Sequence, residues 1–328
     1  MYEKAQYTVY ANIVRGYNKE KKRLTDTAEY DSNLTCMREF WFVPGRKGEK
    51  MEKKVWLITG ANRGLGRVFA EEALSHGDCV IAAVRRPDPE DPFYAQENVF
   101  CVKMEVTDPE EVKEGVRLGA EHFGRIDVLI NNAGFGFNAA MEEISDEELR
   151  RIVETDYFGL ISVTKAVLPY MRAQKSGTIL NLSSLSGMKG AAGCSAYNAV
   201  KFAVVGLSEA LSEELKCWNI RVAALCPGPF RTDFRDPSSI MSAADPMPEY
   251  DGTPGHDAVI RLHEGNHKQP GDPKKAAAFV YDIVQKPELP VHIMIGKMAL
   301  EGATEALKNT LEEIGTYYEA SAATYFDE

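Results

Sequence analysis

From Val55 onward the chain repeats one pattern: a short unbroken apolar run, an amphipathic stretch, then another apolar run. VWLIT (55–59), CVIAAV (79–84), VFCVKMEV (99–106), IDVLIN (126–131), GTILNLS (177–183), IRVAALC (220–226) and VHIMI (291–295) read as strands. Segments 64–76, 108–123, 146–174, 196–217 and 273–286 read as the helices between them. A strand with one face in water alternates apolar and polar residues, whereas one covered on both faces is apolar throughout. The pattern therefore predicts a doubly wound α/β fold: about seven parallel strands, helices on both faces, and ligands at the carboxyl ends of the strands.

The composition narrows the class. At 328 residues and 44% hydrophobic, the chain can bury a substantial core. A formal charge of -11 with no long basic run argues against nucleic acid or an anionic membrane as the main partner. There is no apolar run long enough for a membrane span and no signal-peptide stretch, so the expected location is cytoplasmic. The six cysteines are scattered singly, as in a reducing compartment, and none is read as a metal ligand. Residues 1–50 lack periodicity and carry 10 Lys/Arg against 7 Asp/Glu. They are expected to be a poorly ordered or appended extension, a docking arm being the alternative, with one working domain over 51–328.

The first strand runs into TGANRGLG, where Gly60, Gly64 and Gly66 open a helix. Glycines at a strand-to-helix turn let backbone approach a pyrophosphate, and the helix N-terminus adds amide donors. The spacing is G-x-x-x-G-x-G, one step from the usual dinucleotide fingerprint. Further on, Tyr197 and Lys201 stand four apart in a helical stretch, which places a phenol and an ammonium on one face. By itself that pair is equally a core tyrosine beside a solvated lysine.

Together with this turn, INNAG (130–134), NLSS (181–184), YNAVK (197–201) and PGPFRT (227–232) occur in order. Over about residues 54 to 296 the chain thus resembles the classical short-chain dehydrogenase/reductase family. The resemblance implies a Rossmann-type domain and hydride transfer between a nicotinamide cofactor and a carbonyl or alcohol carbon. It implies Tyr197 as the acid/base, Lys201 as its neighbour and a ribose ligand, and Ser184, thirteen residues before the tyrosine, as the hydroxyl on the reacting oxygen. It places the cofactor on Gly60, Arg63, Gly64, Leu65, Gly66, Arg85, Asn132, Ala133, Gly134, Tyr197, Lys201, Pro227, Gly228 and Thr232. The electrostatics are of the right size. A phenol titrates near pH ~10, and an ammonium ~4 Å away at an effective dielectric of about 20 offsets ~4 kcal/mol.

Two positions depart from the family pattern. ETDYFG puts Asp156 where the family has an asparagine whose backbone carbonyl holds a relay water. Asp156 offers the same carbonyl, or its carboxylate pairs with Lys201 and weakens the lysine's field on Tyr197. MEVTD puts Glu105 where the family has aspartate, at the expected adenine contact.

The second strand ends in Val84, where folds preferring NAD carry a carboxylate, and Arg85 and Arg86 follow. With Arg63 in the glycine turn, this predicts NADP(H) over NAD(H). HEGNH (263–267) matches the zinc-protease motif as a string, but Gly265 and Asn266 at its centre argue against the helix it needs. Residues 232–272 read as a long irregular lid. Phe135, Phe137, Met188 and Cys194 are expected to complete an apolar pocket for a hydrophobic ketone or secondary alcohol, steroid-like or aromatic. The small-residue stripe Ala199, Ala203, Gly206 and Ala210 on the Tyr197 helix predicts a homodimer or homotetramer. The alternatives are a non-catalytic dinucleotide-binding scaffold and an epimerase or dehydratase of the same broad fold.

Overall fold

The computed structural model describes residues 53–326; the expectation for residues 1–50 lies outside them. Its elements, in chain order, are β1 (Val55–Thr59), α1 (Gly64–Ser75), β2 (Cys79–Val84), β3 (Val99–Lys103), α2 (Pro109–Phe123), β4 (Val128–Asn131), β5 (Gly136–Asn138) and α3 (Asp146–Val153). There follow a π-helical turn (Glu154–Gly159), α4 (Leu160–Gln174), β6 (Gly177–Leu182), α5 (Ser195–Glu214), β7 (Ile220–Pro227), β8 (Ile240–Ser242), α6 (Pro254–Glu264), α7 (Pro273–Val284), β9 (His292–Ile295) and α8 (Lys297–Ala322).

Seven strands form one parallel sheet in the order β3-β2-β1-β4-β6-β7-β9. Alternate residues of the same strand feed two separate cores, which is why the strands are apolar throughout. Trp56, Ile58, Val80 and Ala82 pack with Phe69 of α1 and Val280 of α7. Leu57, Ile81, Leu129 and Ile179 pack on the opposite face with Val112 and Val116 of α2 and Val163 and Val167 of α4. The order reverses between β1 and β4, and the crevice at such a switch point is where these folds bind ligands.

The structure differs from the sequence reading in four places. β3 stops at Lys103, because the chain must turn for Asp108, whose carboxylate caps α2 by accepting from the N–H groups of Glu110 and Glu111. The helix expected over 146–174 is interrupted by the π-helical turn. Segment 232–272 holds β8, paired with β5, and the helix α6. The 26-residue helix α8 lies beyond the last expected strand, and past Ala303 its side chains are almost all exposed. Among the described residues no helix is long and apolar enough to cross a membrane.

Candidate active site

The glycine turn is shaped for a close approach of backbone. Gly60 and Gly64 have φ of +67° and +57°, a region that other residues rarely adopt. A Cβ on Gly66 would lie 2.4 Å from Asn132 Nδ2 and 2.5 Å from the Gly60 carbonyl oxygen. The N-terminus of α1 has no side-chain cap, since Arg63 at the cap position makes no such bond. No cap side chain therefore occupies its first-turn N–H groups, as an anion site requires. The residues present fit a dinucleotide pyrophosphate.

Asn132 plays a part that sequence reasoning assigned to ligand contact. Its amide donates to the Thr59 carbonyl at 2.7 Å and reaches that of Gly60 at 3.3 Å. Thr59, which the sequence reading passed over, accepts the N–H groups of Asn132 and Ala133 on its hydroxyl, both at 2.9 Å. INNAG thus braces the glycine turn. The only sequence signal was a hydroxyl ending an apolar strand.

A second brace joins the strand ends to the helices. Asn131 donates to Thr164 of α4 and to Asn181 of β6, and Asn181 donates to Ser208 of α5. These buried amides fix α5 against β6, and α5 carries Tyr197 and Lys201, both buried. Ser183 donates to the Lys201 carbonyl at 2.8 Å, so its hydroxyl faces the helix backbone. Ser184 lies near enough to Tyr197 to lower its phenol, and its hydroxyl accepts the Ser186 N–H.

Lys201 Nζ donates to the Leu182 carbonyl at 3.1 Å, lies 5.4 Å from the centre of the Tyr197 ring, and pairs with Asp156 Oδ2 at 3.0 Å. The π-helical turn brings Asp156 inward, and Gly134 lets it fit: a Cβ there would meet the carboxylate at 2.7 Å. Asp156 Oδ1 accepts the Phe135 N–H at 3.0 Å. Burial pushes the Asp156 carboxyl up, while Lys201 and the Phe135 N–H pull it back. Burial prevails, so the carboxyl is raised overall although the ammonium stands 3.0 Å away. Burial also opposes the Lys201 charge, but Asp156 and Tyr197 outweigh it and hold the ammonium above its ordinary range.

Tyr197 is correspondingly not a depressed phenol. Burial raises it, Lys201 and Ser184 lower it, and Asp156 raises it again, with a net rise. The expected lysine field is present, but burial outweighs it and the aspartate opposes part of it.

The two cofactor arginines do not converge. Arg63 donates to the hydroxyl and carbonyl of Ser238 at 2.7 and 2.9 Å. Arg85 is mostly exposed and stands 3.7 Å from Glu105 Oε2. Val84 is 1% exposed within the core, so its side chain does not line the crevice. Gly228 closes β7 onto β9 by donating to Ile295, Pro227 ends β7, and Thr232 accepts the Phe234 N–H.

The expected pocket wall needs correction. Phe137 and Cys194 are buried, Phe137 against the Tyr197 cluster and Cys194 on Asn138, and Met188 packs on Val205 and Ala224. Phe137 and Cys194 fill the interior, whereas Met188 is only partly buried. Phe135 remains partly exposed beside Arg151, and Phe234 lies 6.2 Å from the Tyr197 ring. HEGNH straddles the end of α6: His263 is in the helix, whereas His267, with φ +55°, lies beyond it and pairs with Asp236. Among the described residues no cluster of three His, Cys, Asp or Glu could hold a metal.

Residues 54–242 match the family model described as short chain dehydrogenase. The oxidoreductase BOA17 of Botryotinia fuckeliana is 40% identical over 77% of this chain and 92% of its own length. The crystal structure of a short-chain dehydrogenase from Streptomyces avermitilis is 35% identical, covers 84% of this chain and 100% of that one, and superposes with a TM-score of 0.77. ElxO with NADP bound is 26% identical, covers 76% and 100% of the two chains, and gives a TM-score of 0.63.

Proposed function

Because this chain belongs to the short-chain dehydrogenase family, we propose that it is an NADP(H)-dependent oxidoreductase interconverting a hydrophobic ketone and its secondary alcohol, with Tyr197 as the acid/base. The observation that carries this reading is the meeting of Tyr197, Ser184 and Lys201 at the carboxyl ends of the strands, beside the glycine turn. The bound nicotinamide supplies or accepts the hydride. Tyr197 donates its phenolic proton to the substrate oxygen in reduction and takes it back in oxidation. Ser184 donates a hydrogen bond to the same oxygen, and that bond strengthens as negative charge develops there. Lys201 stabilises the phenolate and orients the ribose, while Asp156 pairs with the lysine and offsets part of its field on Tyr197. The raised Tyr197 keeps its proton at neutral pH, which favours the reducing direction.

NADP is supported by exposed Arg85 and by the NADP-bound relative. Phe234 and Phe135 beside Tyr197 favour an apolar substrate. The test is Tyr197→Phe, assayed with NADPH and a panel of hydrophobic ketones. Turnover is expected to fall by about 10²-fold or more while NADPH binding persists. A variant that kept most of its turnover would overturn the mechanism.

A further inference from the structure

The strap between β7 and α7 is fastened over the Tyr197 cluster. Met241 and Ala243 pack into that cluster, and Ile240 lies on Gly136 of β5. Its second half, containing α6, is tied to the segment after β5 by three carboxylates. Glu148 accepts the Ala244 N–H at 3.0 Å, Glu142 accepts the Tyr250 hydroxyl at 2.9 Å, and Glu143 takes the Met247 N–H at 2.8 Å.

Glu143 differs from the other two. Its side chain is 1% exposed, its second oxygen accepts the Ala140 N–H at 2.7 Å, and the oxygen that holds Met247 also meets His256 Nε2 at 2.6 Å. The other imidazole nitrogen lies 3.1 Å from Asp251. One buried carboxylate therefore holds both the strap backbone and α6.

The groups facing His256 are Glu143 from the segment after β5 and Asp251 and Tyr250 from the strap; Asp257 follows it in sequence on α6, and Glu142 adds charge through the Tyr250 hydroxyl. The loop ahead of α5 meets α6 through Gly193, with φ +71° and a Cβ direction only 2.5 Å from the Gly255 carbonyl oxygen, and contributes no charge there. That loop leads within four residues to Tyr197.

We propose that Glu143 is a positioning residue for a substrate lid over Tyr197, and that protonated His256 closes this lid by pairing with it, so that closure weakens as the solution turns alkaline. The proposal rests on the substrate binding beside Tyr197. The sign follows from the two groups. His256 is raised, chiefly by its hydrogen bond to Glu143, so its contribution is present at low pH and is lost as pH rises through the raised value. Burial opposes the Glu143 charge, but the Met247 N–H, His256 and Ala140 outweigh it and lower the carboxyl, so its contribution is lost only as pH falls through that lowered value. The lid is held between these two limits.

The experiment is hydrogen–deuterium exchange of the full chain from pH 6 to 9, corrected for the intrinsic rate, in wild type, His256→Gln and Glu143→Gln. Wild-type peptides covering 247–262 should exchange about ten-fold faster at the alkaline end, while those of β1 and β4 stay protected. His256→Gln should exchange fast at every pH, and Glu143→Gln should do the same. KM for the ketone should rise in His256→Gln at pH 6.5 with kcat little changed. A flat wild-type profile, or a His256→Gln variant that keeps the wild-type pH response, would overturn the proposal. If Glu143→Gln does not fold, His256→Gln decides the matter. Because exchange is read without turnover, an inactive protein with the expected profile would count against the catalytic reading and leave the lid standing.

Discussion

Replacing Asp156 by asparagine removes one charge from the centre of the site and leaves the shape nearly unchanged. At 3.0 Å and an effective dielectric of about 20, the attraction between Asp156 and Lys201 is about 5 kcal/mol. Desolvating two ions costs several kcal/mol each, so the pair contributes little net stability, yet removing one partner strands the other. Asp156→Asn is therefore expected to cost about 3 kcal/mol of stability, the Phe135 N–H keeping its acceptor. The kinetic effect follows from the sign on Tyr197. Oxidation of the alcohol needs the phenolate, and Asp156 is one cause of the phenol's rise while Lys201 opposes it. Without the carboxylate the lysine's field on Tyr197 is no longer partly offset, and the oxidation limb of the pH profile should move to lower pH. Each ~1.4 kcal/mol by which the phenolate becomes easier to form would raise alcohol oxidation at neutral pH about ten-fold. The assay is kcat against pH in both directions for wild type and variant, with thermal unfolding as the check on folding. A folded variant whose oxidation limb did not move would refute the coupling of Asp156 to Tyr197 through Lys201.

Gly66→Ala would force a Cβ within 2.4 Å of Asn132; a loss of about 1–3 kcal/mol by thermal unfolding and of dinucleotide binding by calorimetry is expected. Arg85→Ala should weaken NADPH about ten-fold and leave NADH little changed, measured as kcat/KM for both; equal loss with both cofactors would make Arg85 a surface charge. Val84→Asp is a poorer test than the sequence implied, because it buries a carboxylate in the core. Ala199, Gly206 and Ala210 are exposed on the single chain, so the stripe does not pack on its own sheet. We expect a homodimer or homotetramer by light scattering at micromolar concentration, with Ala203→Glu dissociating it; a monomeric wild type would count against this interface.

The sheet was legible because its determinant is local: strands covered on both faces must be apolar throughout, and helices between them must be amphipathic. All seven strands of the main sheet fall where VWLIT, CVIAAV and their successors stand, with ends shifted by a few residues where caps such as Asp108 intervene. Motif residues were legible as a set, because order and spacing along the chain survive without coordinates. The helix α6 was not, since Pro254 and Gly255 open it and the Pro- and Gly-rich flanks hide its period, and α8 lacks the burial that would have marked its face. What only the tertiary structure decided was direction and partner. The sequence placed Asp156 and Lys201 forty-five residues apart and left open whether the aspartate offered a carbonyl or a charge; the π-helical turn and Gly134 bring the carboxylate to the ammonium. In the same way, Phe137 and Cys194 were apolar residues near a site, and only packing turned them inward. Only the structure showed that the Asn132 amide also braces the glycine turn through the Thr59 carbonyl. Spacing along a chain fixes which residues can share a helix face or strand end, but the orientation of a buried polar group is set by the one arrangement that satisfies all its neighbours at once.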